Sequence, residues 1–313
     1  MQPIQNCTSS ILVTGAGGLV GSALCELLKQ TGHSRVIGIT SQQVDLRDRS
    51  ATIRMIDAAQ PEYIYHCAAR VYGIRGNLDN KGLSYYDNVT INTNVIEAAR
   101  IAKVRKIVAM GSGCVYPYPP PGLPLEEDMV WLGKPHPSED SYAHAKRAML
   151  AQLDAYKEQY GLDFAFVISG NLYGPRDKFD ALHGHVIPSL ISKFHRAQAT
   201  GGSVTIWGDG SAKRDFLFVE DAARALAAIM NNGSGPINMG SGQVHCIRDI
   251  VDILSRLSDT LDRVVWDSSQ PNGQEYRAYD LTKLGATGFV PHISLDEGLA
   301  RTYAWYQHHA KLS

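Results

Sequence analysis

The sequence predicts an α/β protein: a doubly wound, mainly parallel sheet followed by a smaller, mixed α/β region. Three observations carry this. Five short apolar runs, at 11–13, 36–39, 64–66, 107–110 and 166–168, alternate with helical patterns. That alternation marks parallel strands covered by helices on both faces. The first run stops at Gly15-Ala16-Gly17-Gly18-Leu19-Val20-Gly21, and a helical pattern follows at once. Beyond about Asn171 the alternation gives way to short strands, Gly-rich loops and further helices. The expected division is a Rossmann-like dinucleotide-binding domain over 1–172, to which 215–242 returns, and a second domain from 173–214 and 243–313.

The composition bounds the function. The chain has 313 residues, 44% hydrophobic and 19% charged, which leaves ample surface to bury a core. Net charge is -1 with no basic block, so nucleic acid has no electrostatic footprint here. Five cysteines (Cys7, Cys25, Cys67, Cys114, Cys246) lack metal-ligand spacing. Their odd number points to free thiols in a reducing compartment. No apolar run approaches the roughly 18 residues of a membrane span, and residues 1–10 are polar. The expectation is a cytoplasmic protein with neither a membrane partner nor a resident metal.

Each element has a local reason. Glycines at 15, 18 and 21 allow a tight strand-to-helix turn, a close pyrophosphate and close helix packing. The pyrophosphate would face the free N–H groups at Leu19 and Val20, where the helix opens. The second strand, 35–40, runs into Thr40, Ser41, Gln42 and Gln43. A missing carboxylate there favours NADP(H); a missing arginine leaves NAD(H) possible. Asp45 and Leu46, in Asp45-Leu46-Arg47-Asp48, have two readings: a lining for adenine, or the cap of the next helix. The third strand ends in Ala68 and Ala69, small enough for a cofactor to cross. His66 and Cys67 alternate faces and read as core or edge residues. A long helix over 85–102 and a strand over 104–110 lead to Gly111-Ser112-Gly113-Cys114, a loop beyond a strand's carboxyl end. In the helix over 139–159, Tyr142 and Lys146 share a face. An ammonium held there can pull a phenol below its usual pKa of about 10. Taken alone, the pair reads more readily as a buried tyrosine beside a solvated lysine. Later helices are expected at 186–199, 219–231, 247–257 and 295–309, and strands at 204–207 and 264–266.

These motifs add up. Thr14-Gly15-x-x-Gly18-x-x-Gly21, Ser112, Tyr142-x-x-x-Lys146 and Asn171-Leu172-Tyr173-Gly174-Pro175 resemble the nucleotide-sugar branch of the extended short-chain dehydrogenase/reductases. Within that branch, the segments 111–117, His185-Val186-Ile187-Pro188, Lys193-Phe194-His195 and 207–219 resemble the GDP-L-fucose synthase family. The similarity runs from about Ile11 to Leu284. It implies conversion of a GDP-4-keto-6-deoxy-hexose to GDP-L-fucose, by epimerisation at carbons 3 and 5 and then reduction at carbon 4. By resemblance, Cys114 is the base and His185 the acid of epimerisation. Tyr142 protonates the carbon-4 oxygen, Lys146 lowers the pKa of Tyr142 and holds the nicotinamide ribose, and Ser112 hydrogen-bonds the ketone. Asn171 and His185 join the glycines, Asp45, Leu46, Ala68 and Ala69 around the cofactor. Asn171, Lys193, Trp207, Arg214 and Arg277 hold the GDP-sugar, which makes the second domain the substrate domain. On their own, Trp207 reads as core and Arg214 as a surface ion-pair residue. The helices over 85–102 and 139–159 resemble those that pair in family homodimers.

Four departures from the family pattern stand out. Ser112-Gly113-Cys114 replaces Ser-Ser-Cys, and the basic residues expected after the second strand are absent. Gln270-Pro271-Asn272-Gly273-Gln274-Glu275-Tyr276-Arg277 replaces a Lys-Pro-Asp-Gly-x-x-Arg-Lys pattern, and the approach to Tyr142 over 131–140 differs. They leave open a reductase or single-carbon epimerase/reductase on a related GDP-4-keto sugar, of colitose or heptose type. A 4-epimerase or dehydratase ranks below these, since no acid stands beside Ser112 in the sequence. A non-enzymatic redox-sensing protein on the same scaffold would not need Ser112, Tyr142 and Lys146 together.

Overall fold

Strands buried on both faces must be apolar along their whole length, and this requirement organises the first half of the chain. A computed structural model describes residues 7–71, 74–180, 184–270 and 276–310. The chain begins β1 (Ile11–Thr14), α1 (Leu19–Gln30), β2 (Val36–Ile39), α2 (Arg49–Ala59), β3 (Tyr63–His66), α3 (Ile74–Asp79) and α4 (Lys81–Ile101). It continues β4 (Lys106–Met110), α5 (Asp140–Tyr160), β5 (Asp163–Ser169), β6 (Asn171–Tyr173), α6 (Val186–Thr200), β7 (Val204–Trp207) and β8 (Lys213–Phe218). Then come α7 (Val219–Asn232), β9 (Gly235–Met239), β10 (Val244–Cys246), α8 (Ile247–Leu257), β11 (Val264–Asp267), β12 (Tyr276–Arg277), α9 (Thr282–Ala286) and α10 (Leu295–His309).

The main sheet has the order β2-β1-β3-β4-β5-β9, and every pair in it is parallel. The five apolar runs read from the sequence are β1 to β5. The sixth strand, β9, escapes a periodicity reading because Gly235, Pro236 and Asn238 interrupt its apolar residues. One face of the sheet packs on α2, α4 and α5 through Ile56, Val95, Ile96, Leu150 and Leu153. The other packs on α1 and α7 through Leu24, Leu28, Leu226 and Ile229. A third core, with Phe194, Phe218, Leu254 and Leu299, joins α6, α8 and α10.

Buried charge is placed where backbone can satisfy it. Lys106 opens β4 at 2% exposure, and its ammonium donates to the carbonyls of Met230 (2.7 Å), Gly233 (2.6 Å) and Ile229 (3.1 Å). These carbonyls lie at the carboxyl end of α7, so one side chain ties that helix to the sheet. Asp48 supplies a cap in its segment: its carboxylate accepts from Ala51 N–H at the start of α2 (2.9 Å). α4 begins four residues earlier than the sequence suggests, at Lys81.

Beyond the main sheet, β8 pairs with β6, β10 and β12. β12 lies parallel to β8 with Arg277 opposite Arg214. A separate parallel pair joins β7 and β11. β6, β8, β10 and β12 were not expected from the pattern. They are short, and β8 and β12 begin with polar or charged residues that interrupt the apolar pattern.

Candidate active site

Parallel strands present all their carboxyl ends at one edge, and the candidate residues collect there. Gly15, in the left-handed region (φ +70), packs against Ala68: a Cβ on it would lie 2.8 Å from Ala68 N. A Cβ on Gly21 would lie 2.7 Å from the carbonyl carbon of Gly15. Gly18 N–H donates to Gly15 O (2.9 Å), and Leu19 and Val20 open α1 with no side chain capping its free N–H groups. The cradle fits a pyrophosphate: a narrow backbone turn with donors pointing out of it. Behind it Thr14 Oγ1 contacts His66 Nδ1 (2.8 Å) and accepts from Ala68 N–H (3.3 Å), and His66 Nε2 meets Asn92 Oδ1 (3.0 Å). Burial brings the His66 imidazole down to about 3, so it stays neutral, a core residue as the sequence suggested.

The adenine side holds a difference from expectation. Leu46 is buried in the core, and its carbonyl accepts from Asn94 (2.9 Å). Asp45 is exposed and ion-paired with Arg47 (2.8 Å). The sequence shows no arginine directly after β2, but the fold supplies two. Arg47 and Arg70, half exposed, converge on the buried Asp87 at 3.2 and 3.4 Å.

Ser112 ends the extended segment after β4, and its hydroxyl accepts from Cys114 N–H (3.4 Å), capping a short 3-10 turn over Gly113–Val115. α5 lays Tyr142 and Lys146 beside this turn. Lys146 is 1% exposed, not solvated, and donates to Met110 O (2.7 Å) at the end of β4. Its Nζ lies 5.6 Å from the centre of the Tyr142 ring. Burial brings Lys146 down to about 8. The expected depression of the Tyr142 pKa is not found. Burial pushes the phenol well above its usual range, and Cys114 and Glu139 add to the push. Burial holds the Cys114 thiol up at about 12, Glu139 adds to this, and Ser112, Arg277 and Lys146 pull against it.

His185 caps α6 by its backbone position, is exposed, and lies beside the buried carboxyl of Asp177. It is not among the groups that weigh most on Cys114. Asn171 starts β6 and pairs with Phe216. Arg214 and Arg277 stand side by side. Burial and the Arg277 charge bring Arg214 down to about 10. For Arg277, burial acts downward, but Tyr279, Glu139 and Cys114 outweigh it and raise the guanidinium. Two adjacent half-buried guanidinia form a receptor for an anion. Residues 271–275 of the departing segment lie outside the described residues. Trp207 is 58% exposed rather than core, 6.0 Å from Lys193 Nζ, which also donates to Thr205 O (3.1 Å).

Two residues were missed in the sequence. Glu139, three residues before Tyr142, acts on Cys114, Tyr142, Arg214 and Arg277 together. Its signal was the altered approach to Tyr142. Tyr279 lies two residues after Arg277 and therefore on the same face of an extended segment.

The NAD dependent epimerase/dehydratase family model matches residues 11–240. A probable GDP-L-fucose synthase 1 from Oryza sativa subsp. japonica is 36% identical over 300 residues, covering 95% of this chain and 91% of the relative. A solved GDP-L-fucose synthetase from Naegleria fowleri bound to NADP superposes with a TM-score of 0.91 at 29% identity, covering 98% of this chain and 95% of that one. A GDP-6-OMe-4-keto-L-xylo-heptose reductase from C. jejuni gives a TM-score of 0.91 at 26% identity, covering 98% and 99%. With the family match spanning most of the chain and that identity extending nearly end to end, the chain belongs to the NAD dependent epimerase/dehydratase family and groups within it with the GDP-L-fucose synthases.

Proposed function

We propose that the protein converts a GDP-4-keto-6-deoxy-hexose to GDP-L-fucose with NADP(H), epimerising carbons 3 and 5 and reducing carbon 4. The observation that carries this is the gathering of Ser112, Cys114, Tyr142, Lys146, Arg214 and Arg277 at one edge, beside the glycine cradle. When bound, NADP(H) supplies the hydride. Gly15, Gly18, Leu19, Val20 and Gly21 hold its pyrophosphate, Ala68 and Ala69 leave room, and Arg47 and Arg70 answer its extra phosphate. Lys146 and Asn171 orient the cofactor, with Asp45 and Leu46 on the adenine side. Ser112 donates to the carbon-4 oxygen as charge develops there. Tyr142 gives that oxygen its proton; a phenol pushed up by burial keeps its proton at neutral pH and is poised to donate. Cys114 removes a proton from carbon 3 or 5, acidified by the ketone, and His185 returns one from the other face. Arg214 and Arg277 grip the diphosphate, and Lys193 and Trp207 pack on the nucleotide. On this reading 1–172 with 215–242 form the dinucleotide domain, supported by β9 joining the main sheet, and 173–214 with 243–313 form the substrate domain.

A second reading has support from one observation. The thiol of Cys114 is held up at about 12 and His185 is exposed, while the Tyr142–Lys146 pair is in place. That balance favours a reductase, or a single-carbon epimerase/reductase, on a related GDP-4-keto sugar. One experiment separates the two. The protein is mixed with GDP-4-keto-6-deoxy-mannose and NADPH in deuterated water, and the product is read by NMR. NADPH oxidation with deuterium at both carbons of GDP-L-fucose is expected. Oxidation with one or neither carbon labelled selects the second reading, and no oxidation rejects both for this substrate.

We also infer a homodimer built on α4 and α5. Leu83, Tyr85 and Tyr86 of α4 are exposed, as is Trp131 beside α5. Tyr85 and Trp131 line an open cavity of about 830 Å³ with His144, Arg147 and Ala148. Paired helices would cover these residues. Light scattering should give twice the mass of one chain, and Tyr86→Glu should halve it. A monomeric mass in the unaltered protein would reject the inference. No helix among the described residues is long and apolar enough to cross a membrane. All five cysteines are free, which supports a cytoplasmic setting.

A further inference from the structure

The turn that carries Ser112 and Cys114 has no side chain at its middle residue, and the space is filled from elsewhere. A Cβ on Gly113 would collide with the Tyr279 hydroxyl, would lie 3.1 Å from Cζ of that ring, and would lie 3.3 Å from Ser169 O. The phenol therefore ends where a side chain at 113 would begin. Its position is fixed by backbone on both sides: Leu125 N–H donates to Ala278 O (2.9 Å), and Asp280 N–H donates to Leu125 O (2.9 Å). The ring is 7% exposed and packs against Tyr116, with centroids 6.1 Å apart. Its hydroxyl is buried and faces the Arg277 guanidinium. A guanidinium can only donate, so the phenol oxygen accepts from it and keeps its own proton to give to a partner. The titratable groups that act on it are Arg277, two residues earlier on the same face, the buried Asp215, and Cys114.

We propose that Tyr279 is a positioning residue that supplies, from the β12 segment, the hydroxyl a serine at 113 would carry, and so sets the Ser112–Cys114 turn for chemistry. The hydroxyl faces the turn at its glycine and gains its partner when negative charge forms at Cys114. Gly113 and Tyr279 thus form one device: the glycine makes room and the tyrosine fills it. This rests on the site described above being the reacting site. It adds a residue to that site and does not alter the roles of the others.

The test exchanges the hydroxyl between the two positions. Tyr279→Phe removes it and keeps the ring. Adding Gly113→Ser to Tyr279→Phe returns a hydroxyl from the other side, where the 3.1 Å contact to the ring needs a shift of only a few tenths of an ångström. Adding Gly113→Ala instead fills the space without a hydroxyl. Two quantities are read in all variants. One is kcat and KM with GDP-4-keto-6-deoxy-mannose and NADPH. The other is the rate of Cys114 alkylation by iodoacetamide from pH 7 to 10, resolved by peptide mass spectrometry, which needs no turnover. Tyr279→Phe should lower kcat about tenfold at nearly unchanged KM and melting temperature, and slow alkylation about fivefold. The double variant with Gly113→Ser should recover both to within about threefold of the unaltered protein, and the one with Gly113→Ala should recover neither. Equal behaviour of the two double variants would overturn the proposal, as would a Tyr279→Phe protein that matches the original in both readings. If the unaltered protein turns over no GDP-4-keto sugar, the proposed function fails, and the alkylation series still decides the role of Tyr279.

Discussion

Tyr142→Phe is expected to slow reduction at carbon 4 by about 10²–10⁴-fold while NADPH affinity stays within about threefold, the range of a lost general acid. The change removes only a hydroxyl from a half-buried ring on α5. Lys146 keeps its bond to Met110 O, so the cationic side of the site survives. Single-turnover absorbance at the nicotinamide band reads the chemical step, and fluorescence titration reads binding. The pH profile gives a second check. Burial brings Lys146 to about 8, so its positive charge is present below that value and lost as pH rises through it. Tyr142 is shifted upward and holds its proton over the same range. Reduction should therefore decline above about pH 8, with Lys146 and not Tyr142 as the group that titrates. Normal turnover by Tyr142→Phe would remove Tyr142 as the acid and leave Lys146 or a water as donor.

The fold was legible wherever a local requirement forces a residue type. Gly15 and Gly21 were readable because no side chain fits between the turn and Ala68 or within the turn itself. Strands β1 and β3 to β5 were readable because both their faces are buried. α8 and α10 were read to the residue, since apolar spacing and, for α10, the Ser294 cap mark them. Strands β8 and β12 were not, because β8 opens on three charged residues with no alternation, and β12 is two residues long and pairs with it. Candidate residues were legible as types, but their electrostatics were not. Whether Cys114 and Tyr142 are pulled down by neighbours or pushed up by burial depends on how much protein surrounds them, and here burial is the larger effect. Tyr279 was invisible for another reason. Its meaning lies in the missing Cβ at Gly113, far away in the chain. Gly113 stood out as a departure from Ser-Ser-Cys, but nothing in the sequence tied it to Tyr279.

Cys114→Ala is expected to suppress deuterium incorporation at carbons 3 and 5 by at least about 10²-fold, while reduction of a keto sugar already in the product configuration stays within about fivefold. The thiol is 5% exposed, and the loop around it is held by Ser112 and by the wedge of Tyr279, so a methyl in its place leaves the turn intact. The same residue predicts a pH dependence. With the thiol held up at about 12, the reactive thiolate is a minor species at neutral pH. Alkylation of Cys114 by iodoacetamide should rise about tenfold per pH unit from 7 to 10 without a plateau. Glu139 supplies part of the upward push, so Glu139→Gln should lower the thiol's pKa and speed alkylation across that range. Arg277→Met removes a positive charge that pulls the other way and should slow it. Opposite signs in these two variants would place Cys114 within one electrostatic unit with Glu139 and Arg277, the arrangement a base needs if its proton affinity is to change when the diphosphate occupies Arg277. Exchange that continues unchanged in Cys114→Ala would assign the thiol to packing, and the reductase reading would then stand alone.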